Sequence, residues 1–133
     1  MSLFGVFGIS GSGMDTYQTW LNAIAGNVAN ANDTGPTSQP AYQQRSLIVS
    51  EDGTGKVGDG VKVTGVALGS AQGELAYDPQ NPLADANGMV RTPTVDLPGQ
   101  MVQMVMAERG YQANVSVITQ ARQAYESALG LGT

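Results

Sequence analysis

Apolar positions recur at helical spacing at both ends of the chain and give way to a polar, glycine- and proline-punctuated middle. Met14, Tyr17, Leu21, Ile24, Val28 and Ala31 follow at alternating three- and four-residue steps, which sets them along one seam of an α-helix. Toward the C-terminus, Leu97, Met101, Met104, Tyr111, Val115, Ile118, Tyr125 and Leu129 trace a second seam. Ser12 and Asp15 have the spacing of a capping box, so the first helix is expected to start near Ser12 and run to about Ala31. Asp96 is a natural N-cap for the second helix, with Pro98 in the first turn, where its missing N–H costs little. That helix is expected to run to about Leu129, with Gly130 and Gly132 ending it.

Between the helices the period changes. Asp33 to Pro40 holds a glycine and two prolines and reads as a loop. Tyr42–Ser50 contains Leu47-Ile-Val49 and reads as a strand, and Val61–Val66 alternates with period two, so the pair predicts a hairpin around the glycine-rich 51–60 stretch. A third short strand is expected at Gly73–Tyr77, followed by a turn through Asp78-Pro-Gln-Asn-Pro82. The expected fold is therefore mainly α with a small β insert: an N-terminal helical segment, residues 1–33, a loop- and hairpin-rich insert, residues 34–93, and a C-terminal helical segment, residues 94–133, forming one structural unit.

Composition narrows the function classes. Eighteen glycines and only 13% charged residues are unusual for a compact soluble enzyme of this length, and the large apolar side chains cluster at the two ends. The net charge of −5 is uneven: residues 1–44 carry Asp15 and Asp33 and no basic side chain, residues 45–96 carry four basic and seven acidic, and residues 97–133 two of each. No basic patch is available for phosphates, which argues against nucleic acid and anionic membrane surfaces as partners. There is no cysteine and no histidine, which removes disulfides, thiol nucleophiles, Cys/His zinc sites and histidine acid–base catalysis. The apolar start, Met1 to Ile9, lacks a basic n-region, so export is expected by a route that needs no cleaved signal peptide. No apolar run approaches the roughly 18–20 residues that span a bilayer.

The chemical motifs weigh lightly. Asp85-Ala-Asn87-Gly88 with Asp96 has the outline of a calcium loop, but Met89 stands where an oxygen ligand belongs and the glycine is misplaced, so a structural turn is expected. Gly53-Thr-Gly-Lys56 has the outline of a phosphate loop, but Ser50 and Val57 break it and no helix follows. Gly11-Ser-Gly13 follows no strand and reads as helix entry rather than a dinucleotide site. Glu51, Asp52, Asp78 and Asp85 are candidates for an acid–base pair, with solvated loop charge as the plain reading. The sequons at Asn32 and Asn114 read as accidental, since Asn114 falls within a predicted helix. No cofactor is implied.

Two helices alone make a thin core. Val102, Val105, Met106 and Val117 remain to be covered, and Glu108 and Arg122 interrupt the second seam, so helices from other subunits are expected to complete the packing.

Ser12-Gly-Met14, Leu21 and Ala25-Gly-Asn-Val-Ala-Asn-Ala-Asn32 together resemble the N-terminal signature shared by bacterial flagellar rod and hook proteins. Asp78-Pro-Gln-Asn-Pro-Leu-Ala-Asp-Ala-Asn-Gly-Met-Val90, Pro93-x-Val-Asp96, Met101-Val-x-Met104 and Ala107-x-Arg-x-Tyr-Gln-Ala-Asn-Val115 resemble the proximal-rod branch of that family. Asp33, Met89 and Gln100 depart from its usual pattern, Gln100 standing where an acidic residue is common. The resemblance implies a non-enzymatic subunit of the basal-body proximal rod, a drive-shaft segment that crosses the periplasm and transmits torque. It further implies export through the flagellar type III apparatus, and assembly with copies of itself, with other rod proteins and at the junction with the inner-membrane ring and export apparatus. Its terminal segments are expected to pair as an α-helical coiled coil that orders on assembly. On this reading Met14, Tyr17, Leu21, Ile24, Val28, Leu97, Met101, Met104, Tyr111, Val115, Ile118, Tyr125 and Leu129 form the assembly interface, with Asn27, Asn30 and Asn114 fixing register by hydrogen bonds. Open chains of heterologous contacts generate helical filaments, and coupling folding to assembly suppresses premature polymerisation. The competing readings are an export-linked binding module and a small carboxylate-dependent hydrolase.

Overall fold

The structure, a computed structural model, describes residues 3–53 and 58–131. In chain order the elements are α1 (Leu3–Ala29), β1 (Arg45–Glu51), β2 (Val61–Leu68), β3 (Glu74–Tyr77), β4 (Met89–Thr92) and α2 (Leu97–Gly130). Two long helices flank four short strands, so the fold is mainly α with a small β component. The strands form two sheets of two, β1 with β2 and β3 with β4.

α1 begins far earlier than expected. Ser12 is inside it rather than at its cap: its hydroxyl donates to the Ile9 carbonyl at 2.8 Å and accepts the Val61 N–H at 3.1 Å. Asp15 is exposed in mid-helix, its carbonyl accepting the Thr19 hydroxyl at 2.8 Å. Gly5, Gly8, Gly11 and Gly13 hide this extension from a sequence reading, because each weakens a helix by about 1 kcal/mol relative to Ala. Packing overrides propensity here, with Ser10 only 4% exposed and Gly13 buried. At the other end α1 stops at Ala29, and Asn30–Asp33 continue as tight turns.

α2 follows the sequence signals closely. The Asp96 carboxylate accepts the Gly99 N–H at 3.1 Å and its carbonyl the Gln100 N–H at 2.9 Å, which is N-cap geometry. The helix ends at Gly130, and the second expected terminator, Gly132, lies outside the described residues.

The β1–β2 hairpin is closed by the Asp52 N–H on the Gly60 carbonyl near its tip and the Gly69 N–H on the Gln44 carbonyl at its base, both 2.8 Å. Most of Gly53-Thr-Gly-Lys56 lies outside the described residues. β4 had no counterpart in the sequence reading. It pairs antiparallel with β3 in the register Glu74–Thr92, Leu75–Arg91, Ala76–Val90 and Tyr77–Met89. Four residues ending in Arg-Thr carry too short an alternation to register as a strand.

The chain divides into two compact units. The first comprises residues 1–21, 48–65 and 104–133, the second residues 22–47 and 66–103. In the first unit Ala107 is fully buried, and the two helices approach at two glycines. A Cβ on Gly13 would meet the Asn114 carboxamide at 2.9 Å, and one on Gly110 would meet the Tyr17 ring at 2.3 Å. Rising numbers on α1 meet falling numbers on α2, so the helices run antiparallel there. The core of the second unit is half polar: Ile24 and Val90 are 1% exposed, Asn27 0% and Gln100 2%.

Candidate assembly surface

Asn27 is the best-held polar side chain of the second unit. Its Nδ2 donates to the Arg45 carbonyl and to Gln100 Oε1, each at 2.8 Å, while its Oδ1 accepts the Arg45 N–H at 2.8 Å and the Tyr42 hydroxyl at 3.1 Å. All four hydrogen-bonding positions of the carboxamide are thereby filled. One side chain thus ties α1 to α2 and to the start of β1. Gln100 and Tyr42, its partners, were not read as packing residues in the sequence because neither belongs to an apolar seam.

The other two asparagines act locally. Asn30 Nδ2 donates to the Gly26 carbonyl at 2.8 Å, and Asn114 Nδ2 to the Gly110 carbonyl at 2.9 Å. In the first unit Asn114 also lies against Gly13, and Tyr17 both covers Gly110 and stacks with Trp20 at a centroid separation of 6.2 Å.

The seam residues separate into two groups. Ile24 is buried, and Met14, Tyr17, Leu21, Val28, Leu97, Met104, Tyr111 and Ile118 are half-buried. Met101, Val115, Tyr125 and Leu129 are exposed. The inward stripe of α2 in the first unit passes through Met104, Ala107, Gly110, Asn114 and Ile118, so small and polar residues sit where the helices meet. Ala107 and Gly110 escape an apolar-periodicity reading because neither is large. Tyr125 and Leu129 continue that stripe at the same spacing, beyond the stretch that faces Gly13 and Tyr17.

Large apolar side chains therefore face outward along α2. In the first unit these are Val105, Met106, Val115 and Val117, and Tyr125 and Leu129 are exposed on the inward stripe beyond its described partner, all six between 41% and 57%. In the second unit they are Met101 and Val102, at 57% and 61%. Scattered exposed apolar residues are ordinary, but repeated exposure along one helix marks a surface built to be covered.

Within each unit the candidate acid–base carboxylates are surface or turn groups. Asp52 pairs with Lys62 at 3.0 Å on the surface of the first unit, and Glu51 is exposed there too. In the second unit Asp78 accepts from Asn81 Nδ2 at 3.3 Å. Asp85 closes a turn, its Oδ1 accepting the Asn87 and Met89 N–H groups at 2.8 and 3.0 Å and its Oδ2 the Thr37 hydroxyl at 3.2 Å. Those bonds, the one from Met89 first, hold its pKa below the ordinary 3.8. Among the described residues no group of three or more acidic side chains is arranged to hold a metal ion, and no helix is long and apolar enough to cross a membrane.

Residues 86–131 match the family described as flagellar basal body rod FlgEFG protein, C-terminal. Along its length the chain is similar to curated relatives that bear the name flagellar basal-body rod protein FlgC. The relative from Salmonella typhimurium is 41% identical over 134 residues, covering 99% of each chain. One from Escherichia coli is 40% identical over 133 residues, again covering 99% of each. One from Agrobacterium fabrum is 36% identical over 125 residues, covering 92% of this chain and 90% of the relative.

Proposed function

The chain belongs to the FlgC family of flagellar basal-body rod proteins, and we propose that it polymerises into the proximal rod through the outward faces of its terminal helices. It is a structural subunit of the flagellar basal body and not an enzyme. It assembles with other rod components and with itself.

The observation that carries the helix-mediated mechanism is the run of large apolar side chains left exposed on α2. Burying one such side chain stabilises a contact by about 1.5–3 kcal/mol. Repeated around a helical array, such contacts offset the entropy of ordering each new subunit. Neighbouring helices pack as coiled coils on Val105, Met106, Val115, Val117, Tyr125 and Leu129, while Met14, Tyr17, Leu21, Asn114 and Ile118 set the pairing of α1 with α2 beneath them. Ile24, Asn27, Val28, Asn30 and Leu97 hold the second unit in shape, Met104 and Tyr111 join the inward packing of α2, and Met101 extends its exposed surface. In functional terms residues 1–33 and 94–133 are the axial segments, and residues 34–93 form the insert between them. A path across the periplasm, torque transmission and contact at the junction of the inner-membrane ring and export apparatus complete the reading.

The test is a pair of substitutions, Val105→Asp and Met106→Asp, at positions 48% and 57% exposed in the single chain. Both variants are expected to accumulate normally, while electron microscopy of basal bodies finds inner-membrane rings without a completed rod. The same charge placed at Gln120 by Gln120→Glu is expected to leave rods intact. Complete rods and normal motility in the Val105 and Met106 variants would refute the helix-face mechanism.

A further inference from the structure

The exposed side of α2 in the first unit has two flanks of unlike chemistry. Met106, Ala113, Val117 and Ala124 follow at seven- and four-residue steps, which sets them on one flank, all four exposed. The charge on that flank is Arg109. Glu108, Gln112, Thr119 and Glu126 run down the other flank, where Gln112 Nε2 donates to Glu108 at 3.2 Å and Arg122 Nε to Glu126 at 2.8 Å. Arg109 is left exposed and without an ion pair among the described residues. A guanidinium beside apolar side chains that a neighbour covers requires an anion from that neighbour.

α1 presents such an anion on a face open to a second helix. Gly8, Gly11, Asp15 and Gln18 alternate at three- and four-residue steps, on the side away from Gly13 and Tyr17, which meet α2 of the same chain. Asp15 is the one charged residue of α1, and its carboxylate is exposed with no partner among the described residues. A Cβ on Gly8 or on Gly11 would stand in open space, whereas Gly13 and Gly110 are held to glycine by the chain's own packing. Glycine weakens a helix relative to alanine, and what it offers in return is close approach of another element. The other exposed carboxylates without an ion pair lie on strands, in turns, at the α2 N-cap or, as Glu108, on the far flank of α2.

We propose that the α2 flank carrying Met106 and Val117 docks on the Gly8–Asp15 face of α1 in a second copy of this chain, with Arg109 on the Asp15 carboxylate. The pairing rests on the helix-mediated assembly proposed above and names the surface that meets α2 there. The two patches differ, so the contact is heterologous and repeats as an open series, whereas α2 on α2 about a two-fold axis closes after two copies. The copies meet in the antiparallel sense that α1 and α2 adopt within the first unit. With Arg109 opposite Asp15, that sense brings Ala113 opposite Gly11 and Val117 opposite Gly8, so larger side chains fill the space the glycines leave.

The experiment places the photo-crosslinking amino acid benzoylphenylalanine at position 106 in otherwise wild-type motile cells and maps adducts from purified intact basal bodies by mass spectrometry. The expected result is an adduct with the mass of two chains, joined within residues 8–18 of the second copy. Arg109→Asp and Asp15→Arg, made singly, are each expected to lower the number of complete rods per cell about tenfold, and the two combined to restore it. Recovery in the double variant excludes a folding defect as the cause of either single loss. An adduct to α2 of a copy or to another polypeptide overturns the proposal, as does the absence of adducts in complete rods. Normal rod numbers in the single variants, or a double variant that stays defective, overturn it too. Because adducts are read from complete rods, a link formed elsewhere refutes this pairing and leaves helix-mediated assembly to be judged by Val105→Asp and Met106→Asp.

Discussion

Asn27 concentrates the polar chemistry of the second unit in one side chain, and its value comes from having every lone pair and proton matched at 0% exposure. Asn27→Ala strands the Arg45 N–H, the Tyr42 hydroxyl and Gln100 Oε1, and leaving a buried partner unmatched costs about 1–3 kcal/mol. Asn30, half-buried and bonded only to the Gly26 carbonyl one turn back, is expected to cost less when replaced by Ala. Urea denaturation of the two purified variants checks the order, and equal losses would count against Asn27 as the hub. Gln100 keeps this network neutral, so no charge has to be desolvated at 2% exposure. Asp85 is the residue with a pH signature. Its folded pKa is depressed by the Met89 and Asn87 N–H bonds, so its contribution is fully present above 3.8 and is lost as pH falls through the lower folded value. NMR titration is expected to find the Met89 amide resonance moving with a midpoint below 3.8, and Asp85→Asn to remove that transition.

At the scale of elements, α2 obeys local rules and α1 does not. Asp96, Pro98 and Gly130 mark the ends of α2 by mechanisms that operate within one or two turns, so they are legible without tertiary information. Asp96→Ala is expected to cost about 1 kcal/mol, readable as a lower urea midpoint. The first turns of α1 are glycine-rich and acquire helical structure from what packs on them, including the Val61 N–H bond to Ser12. The close approach of the helices in the first unit likewise depends on Gly110, because a Cβ there would fall 2.3 Å from the Tyr17 ring. Gly110→Val is expected to destabilise that unit by about 1–3 kcal/mol, the usual cost of overpacking. Pairing it with Tyr17→Ala should recover part of the loss in a double-mutant cycle, and strictly additive losses would show that the two sites do not meet.

At the scale of the whole molecule, the two units differ in how much they bury. The second has Ile24, Val90, Asn27 and Gln100 below 3% exposure, whereas the first has Ala107 as its one hydrophobic residue of that kind among those described. Opening costs less where fewer groups are buried, so amide hydrogen exchange in the free subunit is expected to be faster for residues 104–131 than for residues 22–30 and 89–92. If neighbours in the rod cover Val105, Met106, Tyr125 and Leu129 as proposed, residues 104–131 are expected to become protected there. Rapid exchange there in assembled rods would argue against helix-mediated packing.

Helical periodicity at the two ends, the Asp96 cap, the hairpin around residues 51–60 and the absence of cysteine and histidine chemistry were determined by the sequence alone, because each rests on residue identity at short range. The family signature was legible for the same reason, as a pattern of identities at fixed spacing. Only the tertiary structure decided that α1 reaches back to Leu3 and that β4 pairs with β3. It also placed Gln100, Ala107 and Gly110 where the helices pack, and left Met101, Val115, Tyr125 and Leu129 exposed. Those outcomes depend on partners far away in the chain. A glycine becomes a contact only when a Tyr17 ring arrives to cover it, and an apolar residue is exposed only because the stripe beside it has already taken the inward position.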